Sequence, residues 1–547
     1  MKRFIENHNS KEYDLIIAGG GITGASVVYE AASRGLSVAL LEKSDFASQT
    51  SGATSKMIHG GLRYLSTYEF GLVRESLRER RILSNIAPNL IHPASFLFAG
   101  YKEDKIGQNM MKLGMYLYEL FAFDKNRSWD KSKHLPFFKS LKPKGIKELF
   151  PDAKSEGLTG GQMYYDCASH SPERLTLAFL KSAAQYGADI SNYAEVTGFI
   201  SEQKKKYKKI TGVEVTDKLN NKRHSIKGKL VINCSGPWAD ILLDKINNTD
   251  KNHSLRRSEG IHFLIKKKIS KHVFSRATPE GKHFFLVPYR NHTLVGTTDK
   301  EYIGKPEDYK VTKKAILELL EDVNSSYGET EKIKYEDIIH AYGGLRPLVE
   351  DQTEESYKSS RKYEITGEKK NGIIGLITVE GGKFTTSRML AEKAVNKVFR
   401  ILNLKKKQSI SCKQYLHHCD IKNYNNYVKN KQDELPNFTP KQTEYMIKSY
   451  GNEIDDIVAL TKEDEKLETR LNKDGEILAQ VTFAVREEMA VKLSDIVMRR
   501  TTVGQLGNPG QKTLKLMADI AAKELNWSKE RTKKELEDIN RILEIPK

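Results

Sequence analysis

At 547 residues, with 38% hydrophobic and 29% charged residues, the chain is too long for a single core and has the composition of a globular protein of two or three domains. No apolar run approaches the roughly 18 residues of a membrane-spanning helix, and the short polar N-terminus carries no secretory signal, so the expectation is a protein that stays in the cell. The net charge of +19 is spread over lysine clusters at 204–206, 266–268 and 405–407 without interleaved aromatics; this argues against nucleic acid and leaves an anionic membrane surface and a merely lysine-rich composition as equal readings.

The stretch Asp14–Glu42 carries the strongest local signal. Leu15–Ala18 is an apolar run ending in glycines, and Gly19, Gly21 and Gly24 then open a helix at G-x-G-x-x-G spacing. Gly19 permits the tight turn, Gly21 keeps side-chain atoms off an approaching pyrophosphate, and Gly24 lets helix and strand pack closely. With Gly20, Ile22 and Thr23 they place a dinucleotide phosphate on free N–H groups at the positive end of the helix. A second strand, Ser37–Leu41, ends in Glu42, where a carboxylate can accept both hydroxyls of an adenosine ribose. Strand, glycines, helix, strand and acid in this order make one βαβ unit, a far more specific signal than the glycines alone.

Lys43–Ser66 follows, rich in small polar residues that include Thr50, Ser51, Ser55 and Lys56, and reads as backbone wrapped around a ligand. It ends in His59-Gly60-Gly61-Leu62-Arg63-Tyr64, whose paired glycines remove steric cover beside a histidine. Glu69–Ile86 is a charged helix. Asn109–Phe123 is apolar almost all round and too short to span a bilayer, so the expectation is a buried helix, with an interfacial one as the lesser option. The glycines of Phe150–Asp166 predict an irregular segment, Pro172–Tyr186 a helix and Tyr193–Val215 a hairpin. Leu230–Asn233 returns as a strand stopped by Ser235-Gly236, the way a doubly wound sheet delivers another strand end to the ligand crevice.

Between about 255 and 350 the pattern shifts to period 2, predicting an antiparallel, substrate-facing sheet that contains His262 and leads to Gly343-Gly344-Leu345-Arg346-Pro347; Arg361 heads the next strand. A further strand, Ile373–Val379, enters Gly381-Gly382-Lys383-Phe384-Thr385 and a helix, aiming a second helix N-terminus at the cofactor. From about 404 the chain is helical, charged and without a catalytic constellation. The four cysteines, Cys167, Cys234, Cys412 and Cys419, lack C-x-x-C spacing and predict neither disulfides nor a metal.

With these segments in hand, the chain resembles the FAD-dependent, respiratory-type glycerol-3-phosphate dehydrogenases over nearly its whole length. The resemblance is carried by Ser55–Tyr64 (SKMIHGGLRY), Gly343–Leu348 (GGLRPL), Gly381–Thr386 (GGKFTT) and Phe483–Arg500 (FAVREEMAVKLSDIVMRR). It implies an α/β fold: an FAD-binding doubly wound sheet of the glutathione-reductase and amino-acid-oxidase type, an antiparallel substrate sheet and a C-terminal α-helical domain. The FAD elements would be about 12–66, 190–240 and 370–403, the substrate elements about 67–189 and 241–369, and the helical cap 404–547. The implied reaction is oxidation of glycerol 3-phosphate to dihydroxyacetone phosphate, with FAD as cofactor and a membrane quinone as acceptor, at the inner face of the cell membrane. Arg346 and Arg361 match the family's phosphate ligands, and a planar guanidinium suits a phosphomonoester; Arg63 and Tyr64 stand behind them. His59 and His262 both match positions near the flavin and compete for the role of base, while Lys383 can stabilise an alkoxide or the reduced flavin. A peroxide-forming oxidase would use the same pocket, and an RNA-binding flavoprotein would need a concentrated basic stripe that the sequence lacks. The oligomeric state, a homo-oligomer included, is open.

Overall fold

The computed structural model describes residues 1–7, 11–246, 255–277, 283–326, 332–348, 363–367, 369 and 372–547. Leu15–Ala18 lies within a sheet that runs, among the described residues, Tyr363–Gly367, Leu376–Gly381, Val231–Asn233, Leu15–Ala18, Val38–Leu41, Asp189–Ser191. All neighbours are parallel except the first pair. Strand side chains alternate between faces, and both faces here are covered. Leu15, Ile17, Val38 and Leu40 point to a core shared with the helices Ile22–Ser33, Pro172–Gln185 and Ser387–Ile401. Ile16, Ala18, Ala39 and Leu41 point to a second core with the hairpin Ala194–Lys204 and Tyr207–Asp217. Burial on both sides explains why these strands read as unbroken apolar runs.

The larger sheet is mostly antiparallel. Near one end Arg256–Ile265 pairs with Ile338–Leu348 and His292–Gly296, and the sheet extends through His283–Tyr289 and Val273–Ala277 to Ile91–Tyr101 and Leu158–Ser169. The expectation of an irregular segment over Phe150–Asp166 is corrected in its second half, since Leu158–Ser169 is a twelve-residue strand. Gly161 is the reason: a Cβ there would stand 2.2 Å from the Phe98 carbonyl oxygen, so this glycine permits close pairing and does not mark a loop.

The apolar helix is also corrected. It spans Gln108–Phe121, and only Met115 and Tyr118 are buried. Met110, Leu113, Tyr116 and Leu120 are 50–66% exposed, and Phe123 just beyond is 66% exposed. A helix apolar all round carries no periodic signal to say which face is covered. No described helix is long and apolar enough to cross a membrane.

The C-terminal helices, from Tyr424–Glu434 to Lys529–Leu543, enclose their own core of Tyr450, Ile457, Phe483, Leu514 and Ile539. They join the part of the chain built around the six-stranded sheet through buried charge pairs: Asp45 with Arg499 and Arg500, and Glu488 with Arg174. Burial alone would raise the Asp45 pKa, but Arg500 and Arg499 outweigh it and hold the carboxyl well below its ordinary range. Removing one partner of such a pair strands the other charge in the interior.

Candidate active site

The glycine turn, the 43–66 segment, the Ser235-Gly236 turn and the Gly381–Thr385 junction converge on one cavity of about 1230 Å³, larger than the roughly 300–1,000 Å³ of an ordinary single-ligand pocket. Gly19 sits at φ +113°, where a Cβ would lie 2.5 Å from the Cys234 carbonyl; at Gly24 it would lie 1.9 Å from the Gly19 carbonyl. At Gly21, which lines the cavity, a Cβ would meet only the Ser51 hydroxyl, at 3.0 Å. No side chain of Gly21 caps the helix Ile22–Ser33, whose start faces the cavity, while Ser51 Oγ accepts the Ile22 N–H at 2.9 Å. The Glu42 carboxylate accepts from Gly20 N at 2.6 Å and from Ser44 N at 2.8 Å; burial raises its pKa and these two bonds oppose the rise. Such a cradle, with glycine approach, a helix start facing the cavity and a fixed carboxylate, fits a dinucleotide.

The same cavity is lined by His59, Arg63, Tyr64, His262, Arg346 and Lys383. The Arg346 guanidinium is aimed by acceptors: it donates to the carbonyls of Glu259 and Thr298 and to Thr297 Oγ1 at 2.9–3.2 Å. Gly260 makes room for it, since a Cβ there would stand 1.9 Å from Arg346 Nη2. His262 stacks on Tyr342, with ring centroids 5.1 Å apart, and shares a 2.7 Å hydrogen bond through Nε2 with Ser55 Oγ. Its Nδ1 is buried without a hydrogen-bond partner among the described residues. Burial, then Arg346 and Lys56, pushes His262 down to about 3. Burial also lowers His59 to about 4, opposed by Asp166 and aided by Lys383 and Arg63. Both are neutral imidazoles near pH 7, the state a base requires. Lys383 Nζ lies 3.7 Å over the Tyr64 ring and 3.3 Å from Ser76 Oγ, on a turn where Gly381 and Gly382 both have positive φ.

Gly19, Gly21, Ile22, Thr23, Glu42, Lys43, Thr50, Ser51, Ser55, Ser235, Gly236, Gly381, Gly382, Phe384 and Thr385 line the cavity as well. Gly20 and Gly24 are structural parts of the turn behind it. Lys56 turns away: buried, at φ +55°, it donates to Gln505 Oε1 of the helical domain at 2.8 Å. Arg361 lies outside the described residues. Sequence alone does not single out Trp238, whose ring centroid lies 3.9 Å from Lys43 Nζ, or Arg276 and His283, which also line the cavity. Outside the cavity, His417, His418 and Glu453 could hold a metal ion by their spacing, but the Lys181 ammonium already occupies that carboxylate.

Buried neutral histidines set an acid limit on stability. His59, His262, His283 and His340 are lowered by burial to about 4, 3, 4 and 4, whereas in the unfolded chain each titrates near 6.5. Between about pH 6.5 and 4 the unfolded state therefore binds protons the folded state refuses, and stability falls as pH drops through that window. Melting curves at pH 7.5, 6 and 5 are expected to lose about 1–2 kcal/mol per histidine by pH 5; a constant Tm over this range would mean that the histidines protonate in place.

A parallel sheet with this cradle and a second, mostly antiparallel sheet at the cavity define a dinucleotide-binding protein of two interleaved sheets. Residues 14–395 match the family described as FAD dependent oxidoreductase, and residues 381–532 match the C-terminal domain of alpha-glycerophosphate oxidase. A glycerol-3-phosphate dehydrogenase of Synechocystis is 30% identical over 100% of this chain and 98% of its own, and the aerobic glycerol-3-phosphate dehydrogenase of Bacillus subtilis is 30% identical over 99% and 96%. The crystal structure of a Bacillus halodurans glycerol-3-phosphate dehydrogenase complexed with FAD superposes with a TM-score of 0.78 at 24% identity, covering 98% of this chain and 96% of that one. The chain belongs to the FAD-dependent glycerol-3-phosphate dehydrogenase and oxidase family, and its cofactor is FAD.

Proposed function

We propose that the protein oxidises glycerol 3-phosphate to dihydroxyacetone phosphate and passes the electrons to a membrane quinone. The observation that carries the substrate reading is Arg346, a guanidinium aimed by surrounding oxygens into the cavity that also holds Lys383 and two neutral histidines. Arg346 grips the phosphate, and either His59 or His262 takes the C2 hydroxyl proton. Lys383 steadies the developing alkoxide. Bound FAD supplies the two-electron acceptor. The test is anaerobic mixing of the yellow protein with glycerol 3-phosphate, followed by a quinone analogue or oxygen. Bleaching is expected, with fast reoxidation by the quinone; bleaching reversed only by oxygen with peroxide release would make it an oxidase, and no bleaching would remove the substrate.

Support for a lipid-dissolved acceptor comes from the exposed helix Gln108–Phe121. Its Met110, Leu113 and Leu117 line the same cavity as the catalytic groups, and Leu120 and, just beyond the helix, Phe123 are exposed to solvent. Burying these side chains in the acyl boundary adds to what lysines gain near anionic lipid. Binding to anionic liposomes in flotation is expected to weaken at high salt and to fall further in Leu120→Glu/Phe123→Glu. Bleaching by glycerol 3-phosphate in solution should be unchanged in this variant, because neither residue lines the cavity. Wild-type binding by the double variant would clear this helix of the role.

A further inference from the structure

Behind the His59 loop lies a buried carboxylate that the reaction as described does not use. Asp166, in the strand Leu158–Ser169, is fully buried. Its Oδ1 pairs with Arg80 of the helix Phe70–Ile86. Its Oδ2 accepts the Tyr118 hydroxyl at 2.6 Å and, more weakly, the Gly60 N–H at 3.4 Å. Burial, reinforced by Asp166, raises the Tyr118 phenol well above its ordinary value, so it remains a donor. A carboxylate this enclosed is tolerated only when its lone pairs are met, and here they are.

The loop is shaped to this cluster. A Cβ on Gly60 would stand 2.4 Å from the Tyr118 hydroxyl and 2.5 Å from Leu77, so the backbone rests directly on the tyrosine. Gly61, at φ +76°, would place a Cβ 2.5 Å from Tyr64 and 3.2 Å from Lys383 Nζ. The helix that supplies Arg80 also supplies Ser76, one turn earlier, as the 3.3 Å partner of Lys383. One helix face thus carries the supports of both Lys383 and the histidine loop. The charges acting on His59 are Lys383, Arg63 and Arg80, all cationic, and Asp166, which opposes them.

We propose that Asp166, clamped by Arg80 and Tyr118, is a positioning residue that fixes the His59-Gly60-Gly61 loop against Lys383 and supplies the negative charge behind His59. The inference rests on the glycerol 3-phosphate reading of the cavity. It assigns no contact with substrate to Asp166. Arg346 lies on a different strand pair of the same sheet and keeps its own acceptors, so phosphate binding is separable from loop placement.

The experiment compares Asp166→Asn and Tyr118→Phe with wild type as FAD-loaded enzymes. Asp166→Asn keeps the volume and one acceptor, and Tyr118→Phe removes one hydrogen bond without touching the Arg80 pair. Both are expected to bind FAD and to keep KM for glycerol 3-phosphate within about threefold, while kcat falls about 10- to 100-fold in Asp166→Asn and several-fold in Tyr118→Phe. With His59 as the base, the acid limb of the kcat profile moves to lower pH in Asp166→Asn, because a neutral amide no longer opposes the cations around His59. A purely structural role would lower Tm and flavin content without moving that limb. Wild-type kcat and an unmoved acid limb in a folded, yellow Asp166→Asn would overturn the proposal. If that variant fails to fold, wild-type kcat in Tyr118→Phe overturns it alone. A wild-type enzyme not bleached by glycerol 3-phosphate would instead strike the substrate reading.

Discussion

Arg346→Ala is expected to reduce kcat/KM for glycerol 3-phosphate by about 2–4 kcal/mol, some 30- to 1,000-fold, while FAD content stays at the wild-type level. The guanidinium meets carbonyls of Glu259 and Thr298 and the Thr297 hydroxyl, which orient it, and it pairs with the Asp299 carboxylate at 3.7 Å. A phosphomonoester with nearly two negative charges loses a two-pronged donor when the side chain is truncated. Arg346→Lys should recover only a fraction, because an ammonium cannot reproduce a planar fork held at fixed angles. Glycerol itself should be a very poor substrate for the wild type. Steady-state kinetics with glycerol 3-phosphate decide the matter: near-normal kcat/KM in Arg346→Ala places the phosphate elsewhere.

The parts of the site legible in the sequence are those whose chemistry is local. Gly19, Gly21 and Gly24 signal a cradle because strand, turn and helix are contiguous, and the small polar residues from Thr50 to Ser55 lie next to them in the chain as well as in space. Local sequence fails where a residue's neighbours come from elsewhere. Asp166, Arg80 and Tyr118 sit on a strand and two helices of different segments, and nothing about each alone sets it apart from a surface charge or a core tyrosine. Lys56 lies in the chain among residues that line the cavity, yet its left-handed backbone turns it to Gln505, a residue some 450 positions later. The helix Gln108–Phe121 fails for another reason: with apolar residues on every side, burial is set by what packs on it, and only Met115 and Tyr118 find a core.

Gly21→Val is expected to give folded, colourless protein. The three motif glycines differ in what a side chain would meet. At Gly19 and Gly24 a Cβ collides with backbone carbonyls, at 2.5 and 1.9 Å, so substitution there distorts the turn itself. At Gly21 the only atom in close range is the Ser51 hydroxyl at 3.0 Å, the end of a side chain whose rotation gives up one hydrogen bond, from Ile22 N–H, and moves no backbone. The backbone at Gly21 is extended, with φ −75° and ψ −178°, a conformation open to valine. The added methyl groups would therefore enter the cavity, where the pyrophosphate must approach the helix start, and leave the fold in place. Wild type should carry about one non-covalent FAD per chain; the variant should show the wild-type circular dichroism spectrum without flavin absorbance. Its Tm should fall to that of wild-type apoprotein, since bound cofactor stabilises only the folded state. A folded Gly21→Val with full flavin content would mean that the phosphates do not cross this glycine and that the cradle holds the cofactor by other contacts.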